Sequence, residues 1–540
     1  MKEKGITLVA LVITIIVLII LAGVSISLVV GDNGIITKAQ QGKQNMSNAS
    51  AEEREQLQNL DNAMNELNTG SGPIVVPPKT DGTWDDTTEV NSPDLDGTGL
   101  TGITIGEDGS VTEIEEGQED WYSYTADDRR WANAKTADGS MWVWIPRYAY
   151  KITYDVPTDK SQGGTVDIVF LQGDTNLDKN GNDVTQSTYQ DEQGQTGAYT
   201  VHPAFKDGTS NGFSNGEWDD EIEGLWIAKF EAGYAEGNNS VTKVDSGLKY
   251  GVDCTTSNLY GAVTANSTPL YYPVFLPKSY SYNFTTIDEA YNLTRALTQT
   301  GNPYGLASAK VDSHLIKNSE WGAVAFLTHS KYGRNKEEIT INNVSLENSV
   351  NTIYAVTGMA GASVSAEKNI TTIDKVNDGS SGSYSWETAN GQKASTTGNA
   401  YGIYDLSGGA WERVAGYINN GDVRLNNFGN NLVNTGGAAN STKYKSVYAY
   451  NTGSDTSANN FNQAPNPSRI GEAIWEVSNS SGDDAAGWNQ DAFFFAYADT
   501  PFLARGGSTG GKTSAGVFYC DSGSGNPWNG NGFRAVLIAL

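Results

Sequence analysis

The sequence predicts an α+β protein in which an N-terminal transmembrane and stalk helix precedes a large, loop-rich domain. Three observations predict this class. Residues 6–30 form a run of 25 residues without a charged side chain. Several short strand patterns and two helix patterns follow later in the chain. No sustained β-α-β alternation connects these patterns, which argues against an α/β fold.

The acidic composition narrows the classes of partner. The chain has 540 residues, with 35 Lys and Arg against 63 Asp and Glu, which gives a net charge of −28. Nucleic-acid binding needs a basic surface, so no nucleic-acid partner is expected. With two Cys and three His in the whole sequence, a disulfide-rich scaffold, a zinc cluster and an iron–sulfur site are excluded.

The N-terminal segment is long enough to cross a bilayer. At about 1.5 Å per residue, residues 6–30 would form roughly 37 Å of helix, more than a secretory signal needs. Lys2 and Lys4 precede the run, so the positive-inside rule places the acidic remainder outside. We therefore predict a cell-membrane protein with a leader at 1–5, a transmembrane helix at 6–30 and an extracellular C-terminal domain.

The leader ends in Lys4-Gly5, and an apolar run starts at Ile6. This arrangement resembles the N-terminus of type IV prepilins. The resemblance implies that a dedicated peptidase cuts after Gly5, that Ile6 becomes the new N-terminus, and that pilus or secretion-system subunits are partners. Ala10 departs from the family pattern, which usually has a Glu associated with subunit docking at this position. A plain, uncut membrane anchor is the alternative.

Two further segments connect the predicted span to the large domain. Residues 31–69 place Leu57, Leu60 and Leu67 on one apolar stripe, which predicts an amphipathic stalk helix. Residues 70–120 are rich in Gly, Pro and acidic side chains and have little periodicity, which predicts a linker.

Residues 121–540 carry the patterns of the large domain. Short apolar or alternating runs bounded by turn residues predict strands at 142–146, 166–171, 225–230, 271–276, 414–418 and 534–540. One helix is predicted over 286–297, with Thr286 as its N-cap. A second is predicted over 317–327, with Trp321 and Leu327 on one face.

Four segments of this domain follow one another in a distinctive order. They are Gly224-Leu-Trp-Ile-Ala-Lys-Phe-Glu231, the run from Gly398 to Glu412, Arg505-Gly-Gly-Ser508 and Gly532-Phe-Arg534. In this order they resemble the formylglycine-generating-enzyme (sulfatase-modifying) family, which implies an elaborated C-type-lectin-like fold. The chain also resembles Gram-positive surface proteins that join a prepilin-like N-terminus to such a domain. The residues expected to have structural roles in this fold motif are Trp411, Glu412, Arg505, Gly506, Gly507, Phe533 and Arg534.

The same family contains copper-dependent oxidases, which use two closely spaced cysteines before the final Gly-Phe-Arg. Here Cys520 stands alone, because Ala515 and Gly525 occupy the positions of a partner. Cu(I) favours two soft thiolates, so the chain is predicted not to be an enzyme. The other cysteine is Cys254, and the two form either one disulfide or two separate buried thiols.

Oxygen-bearing side chains alternate in one loop of the domain, as they do in calcium-binding loops. The candidate ligands are Asp174, Asn176, Asp178, Asn180 and Asp183. An EF-type loop needs a bidentate Glu at its twelfth position, where this chain has Thr185 or Ser187, depending on the start. The loop is therefore either a calcium site or a cluster of Asn and Asp turns without an ion, and no other cofactor is predicted.

Two stretches near the C-terminus combine aromatic side chains with Asn and Ser, a composition typical of binding loops. The candidate ligand-binding residues are Tyr444, Tyr448, Tyr450, Trp488, Asn489, Asn526, Trp528, Asn529 and Asn531. Some lectin-fold proteins with such a segment are targets of diversity-generating retroelements, and the last six are residues of the kind that would vary. A core role for the aromatic residues is the alternative interpretation.

These observations together predict a prepilin-like surface protein whose lectin-like domain binds an extracellular glycan or protein, or mediates adhesion, without catalysis. One alternative is a minor pilin or pseudopilin with a structural tip domain. The other is a divergent oxidase of the formylglycine-generating type, against which the broken cysteine pair argues.

Overall fold

The computed structural model describes residues 84–118, 120–207, 218–234, 272–347, 353–362, 368–370, 383–434, 443–463 and 470–540. All of them belong to one structural unit, which spans Pro78–Leu540. The predicted leader, transmembrane helix and stalk, at residues 1–5, 6–30 and 31–69, lie outside the described residues.

Short strands dominate the described chain. Its first half contains β1 (Trp84–Asp85), β2 (Val90–Asn91), β3 (Thr101–Ile105), β4 (Val111–Glu113), β5 (Asn133–Lys135), β6 (Met141–Pro146), β7 (Tyr148–Tyr154), β8 (Gly164–Phe170), β9 (Thr200–Val201), β10 (Gly224–Ala228), β11 (Gly233–Tyr234) and β12 (Pro273–Val274). The second half contains β13 (Val311–Leu315), β14 (Val344–Glu347), β15 (Ile353–Ala355), β16 (Met359–Gly361), β17 (Lys368–Ile370), β18 (Ser383–Ser385), β19 (Trp411–Ile418), β20 (Ser446–Tyr448), β21 (Phe502–Arg505), β22 (Cys520–Gly523), β23 (Asn531–Phe533) and β24 (Ala535–Ala539). The α-helices are α1 (Ile287–Arg295), α2 (Asn318–His329), α3 (Val423–Asn434) and α4 (Ser457–Gln463).

The largest sheet has seven strands in the order β13-β24-β10-β6-β5-β3-β4, and all neighbouring strands are antiparallel. Its central strand pair is held by large side chains, since Trp144 of β6 packs against Trp226 of β10 with ring centroids 5.3 Å apart. The C-terminal strand β24 lies between β10 and β13. The sheet therefore combines strands β3 to β6 with the C-terminal strand.

The second large sheet is built around β19. It pairs with β21 in antiparallel and with β20 and β23 in parallel orientation, and β22 extends the sheet beyond β21. In this register Glu412 lies opposite both Arg505 and Gly532. The segments that resemble the formylglycine-generating family are thus neighbours in space.

The two helices predicted from the sequence are confirmed. Thr286 caps α1 through a capping box, in which the Glu289 N–H donates to Thr286 Oγ1 at 3.0 Å and the Thr286 N–H donates to Glu289 Oε2 at 2.7 Å. Every residue of α2 is buried. This helix packs against β8 and β19, and Trp321 Nε1 donates to the Val517 carbonyl at 2.7 Å.

The predicted α+β class is wrong for the described part of the chain, which is mostly sheet with few helices. The Gly-, Asn- and Ser-rich stretches that suggested loops contain many strands of two to five residues. Strands this short have no clear alternation of their own, and they form because distant segments pair with them.

A second correction concerns the predicted transmembrane helix. Within the ranges that the structure describes, no helix is both long and apolar enough to cross a membrane. The uncharged run at 6–30 falls outside those ranges.

Part of the segment predicted as a linker is integrated into the fold. Ile103 and Ile105 of β3 are buried, and β3 pairs with β5 and β4 at the end of the seven-stranded sheet. The folded domain therefore begins before Trp121. Residues 70–83 lie outside the described ranges.

Candidate functional site

A buried charged centre links the motif segments. Arg534 Nε donates to Glu412 Oε2 at 2.9 Å, and its Nη2 donates to the other carboxylate oxygen. The remaining guanidinium donors reach the carbonyls of Ala228 at 2.6 Å and Tyr404 at 2.7 Å. Because Arg534 and Glu412 are both fully buried, this bidentate pair joins strands and does not face a ligand.

Two more carboxylates surround this pair. Glu231 Oε2 accepts from the Ala410 N–H at 2.9 Å, and Asp405 accepts from the Gly358 N–H and from Asn342 Nδ2, both at 2.9 Å. Burial raises the pKa of all three carboxyl groups: that of Glu231 well above its ordinary value, that of Glu412 to about 7, and that of Asp405. One guanidinium cannot balance three carboxylates, so we infer that the centre holds a proton on Glu231.

Arg505 fixes the second motif segment. Its guanidinium donates to Asn318 Oδ1 at 3.3 Å and to the carbonyls of Glu472 and Ala473, both at 3.1 Å. The next two residues, Gly506 and Gly507, turn the chain with φ of +83° and +76°. A Cβ on Gly507 would lie 2.5 Å from that of Ala515, so both backbone conformation and space require glycine here.

Cys520 is a free and fully buried thiol at the start of β22. Burial raises its pKa to about 12, against a partly opposing effect of Arg505. A thiol in this environment is a poor source of thiolate. Cys254, its predicted disulfide partner or fellow buried thiol, lies outside the described residues.

The candidate calcium loop is occupied by its own hydrogen bonds. Asp178 Oδ1 accepts from the N–H groups of Asn180 and Asn182 at 2.9 and 2.8 Å, and Asp183 accepts from Thr185. Asn176 Oδ1 accepts from Arg147. The oxygens of Asp178 and Asp183 thus close turns. No group of three or more His, Cys, Asp or Glu in the described chain is placed to hold a metal ion.

Several predicted ligand-binding aromatics lie in the core. Tyr448 is 1% exposed, and its hydroxyl accepts from Asn318 Nδ2 at 2.7 Å and donates to Glu472 at 3.0 Å. Trp488 is also 1% exposed, and its Nε1 donates to the Lys160 carbonyl at 2.6 Å. These two side chains are therefore not available to a ligand.

Three other ligand-binding candidates are only partly exposed to solvent. Tyr444 is half-buried, with the Arg295 guanidinium 3.8 Å above its ring and its hydroxyl bonded to Asp312. Tyr450 packs half-buried against the main core. Asn489 is half-buried and has a φ of +60°, a backbone conformation in which Asn is enriched.

Trp528 is the aromatic candidate that is exposed to solvent. It is 47% exposed, more than any other aromatic residue whose burial the structure describes. The indole stacks on half-buried Trp411, with ring centroids 5.0 Å apart and an interplanar angle of 25°. Asn526 is exposed beside it in sequence, and Asn529 and Asn531 are half-buried. We call the Trp411–Trp528 pair the indole platform.

Buried polar contacts support the indole platform from below. Trp411 Nε1 donates to the Tyr519 hydroxyl at 2.8 Å, and this hydroxyl donates to Asp521 Oδ2 at 2.7 Å. Burial raises the pKa of both Tyr519 and Asp521. Gly530 packs closely against both indoles, since a Cβ there would be 2.8 Å from Trp411 and 2.9 Å from Trp528.

The loop that carries Trp528 is also anchored through its backbone. The Trp528 carbonyl accepts from the Phe284 N–H at 3.0 Å, and Asn283 Nδ2 donates to the Asn529 carbonyl at 2.8 Å. The residues that support the platform, Tyr519, Asp521 and Gly530 among them, were not predicted from the sequence. Only Trp528 could be selected from the local sequence. The residues that support it are distant in the chain and meet only because β19, β22 and β23 belong to one sheet.

No protein-family model matches the chain, and a search of the curated proteins finds no match either. The resemblances to prepilins and to the formylglycine-generating family therefore stay predictions.

Proposed function

We propose that this chain is a non-catalytic recognition module that works outside the cell and binds a glycan or protein ligand through the indole platform. The exposure of Trp528 carries the proposal. A large aromatic ring that is open to water on one side and stacked on a second ring on the other costs free energy to hydrate and gains free energy when a ligand covers it.

The rigidity of the platform supports the same function. Trp528 is held by its stacking on Trp411 and by the hydrogen bond from the Phe284 N–H. Little conformational entropy is lost when such a side chain binds, and Trp is enriched among residues that dominate binding energy. Asn526, two positions before Trp528, is exposed, and its side-chain amide can donate hydrogen bonds to a ligand.

The absence of catalysis in this proposal rests on Cys520. The oxidases of the resembling family need an accessible thiolate pair, whereas Cys520 is 0% exposed and its pKa is raised to about 12. The copper-oxidase alternative is therefore disfavoured.

The test is a glycan and protein array probed with the full chain, followed by titration of the strongest ligand. Trp528→Ala should weaken that binding at least tenfold, and Trp528→Phe should retain part of it, because truncating a hot-spot aromatic typically costs about 2 kcal/mol or more. Val423→Ala is the matched control, since Val423 is also apolar and is 61% exposed on α3. Equal affinity of Trp528→Ala and wild type would contradict the proposal.

A further inference from the structure

A cleft along strand β8 is a second candidate binding site, built from residues that are distant in the sequence from the indole platform. Its volume is about 730 Å³. Its walls come from β8 itself, from residues 178–182 and 189–193, from residues 329–332, and from the start of the described chain at residues 84–89. Nothing in the proposed ligand recognition uses this cleft.

β8 is an edge strand of its sheet, whose order is β8-β7-β9. Just beyond its two ends, the Leu171 N–H donates to the Arg147 carbonyl at 3.1 Å and the Gly163 carbonyl accepts from the Asp155 N–H at 3.0 Å. Backbone groups alternate in direction along an antiparallel strand. The odd-numbered residues of β8 thus bond to β7, and the even-numbered residues point their N–H and C=O groups away from it.

One of these outward groups already has a partner. The Gly164 carbonyl accepts from His329 Nε2 at 3.0 Å. Burial lowers the pKa of His329 to about 4, so the ring is neutral near pH 7 and carries its proton on Nε2. This bond agrees with the alternation, because the Gly164 carbonyl points away from β7.

The remaining outward groups belong to Val166, Ile168 and Phe170. Their residues are only 2%, 6% and 7% exposed, yet their outward N–H and C=O groups have no hydrogen-bond partner among the described residues. Backbone groups at such depth are almost always paired, and an open strand edge is a template for one more strand. The three residues stand at every second position of β8, which is where the backbone of an added β-strand would form its hydrogen bonds.

The charge of the cleft indicates what kind of strand fits. Five carboxylates line it, against two lysines. Lys179 is already bound to Glu89 at 2.8 Å and to Glu192 at 2.5 Å, so one positive charge is shared by two of these carboxylates and the group of three keeps a net negative charge. Asp167, between Val166 and Ile168, accepts no hydrogen bond within the described chain. Burial, together with nearby Asp191, raises the pKa of its carboxyl group, and Lys151, Lys331 and Lys336 offset this only in part.

We propose that the free edge of β8 binds an extended, basic peptide segment of a partner protein as an additional β-strand. The peptide backbone pairs with Val166, Ile168 and Phe170, and its lysine or arginine side chains face Asp167 and the neighbouring carboxylates. Main-chain hydrogen bonds supply affinity in this mode of recognition, and side chains at alternate positions supply specificity.

The experiment titrates the full chain with a fluorescent peptide of alternating lysine and valine. We expect saturable binding of one peptide per chain that weakens as salt is added. A peptide with glutamate in place of lysine should not bind, and neither should a lysine–valine peptide with every amide N-methylated, because it lacks N–H donors. Failure of the lysine–valine peptide to bind would overturn the proposal.

Two measurements place the peptide on β8. Hydrogen–deuterium exchange over residues 164–171 should slow when the peptide binds, because the outward N–H groups become paired. Asp167→Asn should weaken binding about fivefold, whereas Glu107→Gln, an exposed carboxylate outside the cleft, should not change it. Binding without protection of β8, or pairing of two copies of the chain through this edge, would contradict the assignment.

Discussion

Arg534 forms a bidentate ion pair with Glu412, 122 positions earlier in the sequence, and neither side chain has any exposure to water. Glu412 lies in β19 and Arg534 stands between β23 and β24, so this one contact connects the two largest sheets. The two motif segments therefore have a structural explanation that does not involve a substrate.

Replacing Arg534 should strongly destabilise the domain. In Arg534→Met, Glu412 loses its counter-ion and the carbonyls of Ala228 and Tyr404 lose their donor, so we expect the free energy of unfolding to fall by about 3–5 kcal/mol. Chemical denaturation measures this change in the free energy of unfolding. Asp499→Asn, which removes an exposed partner of Arg424, should cost less than about 1 kcal/mol. Similar losses for the two variants would contradict the structural role.

The proton that we assign to Glu231 should give stability a specific pH dependence. Burial raises the pKa of Glu231 well above its ordinary value, and Glu412 and Asp405 add to the effect. In the unfolded chain a Glu side chain has a pKa of about 4.3. Above that pH the unfolded chain releases this proton, while the folded chain keeps it. The stability that Glu231 contributes is therefore complete below that pKa and is lost as pH rises.

Glu231→Gln isolates this contribution. Between about pH 5 and pH 7, the free energy of unfolding of the variant should improve relative to wild type by up to about 1.4 kcal/mol per pH unit. Urea titrations at several pH values measure the difference. A difference between Glu231→Gln and wild type that is flat with pH would exclude the buried proton.

Cys520 should behave as a core residue. Because the thiol is fully buried and its pKa is raised to about 12, iodoacetamide should label it only after unfolding. Cys520→Ala should cost about 1–3 kcal/mol of stability and leave ligand binding unchanged. A competition titration with a Cu(I) chelator should detect no tight site, and stoichiometric Cu(I) binding abolished by Cys520→Ala would restore the oxidase alternative.

Calcium should not stabilise the loop around Asp178. The oxygens of this side chain accept from the Asn180 and Asn182 N–H groups and from Tyr189, so an ion would have to replace bonds already made. Thermal unfolding with millimolar calcium and with EDTA should give the same midpoint. A higher midpoint in calcium that is lost in Asp178→Asn would instead identify a calcium site.

Processing of the N-terminus stays a prediction from the sequence. If the prepilin-like leader is recognised, the mature protein should begin at Ile6, and Gly5→Leu should block the cut because the peptidase would meet a bulky side chain. N-terminal sequencing of the protein from its native cell reads the result. A mature chain that still begins at Met1 would favour the uncut alternative.

The sequence by itself predicted the elements whose signals are local. The N-cap at Thr286, helix α2 and strand β6 all depend on residues a few positions apart, and the structure confirms these elements, although α2 and β6 are buried on all sides and not on one face. Exposed Trp528 could likewise be chosen as a candidate from its Asn- and Gly-rich surroundings. The short strands could not be found in this way, because two or three residues carry no period.

Tertiary structure decided the rest. Burial separated Tyr448 and Trp488 from Trp528, although all three share the same local composition. Pairing of β19 with β23 placed Trp411 under Trp528, and the order of strands left the edge of β8 open. These outcomes depend on contacts between residues that are far apart in the chain, and composition and periodicity do not record which distant surfaces meet.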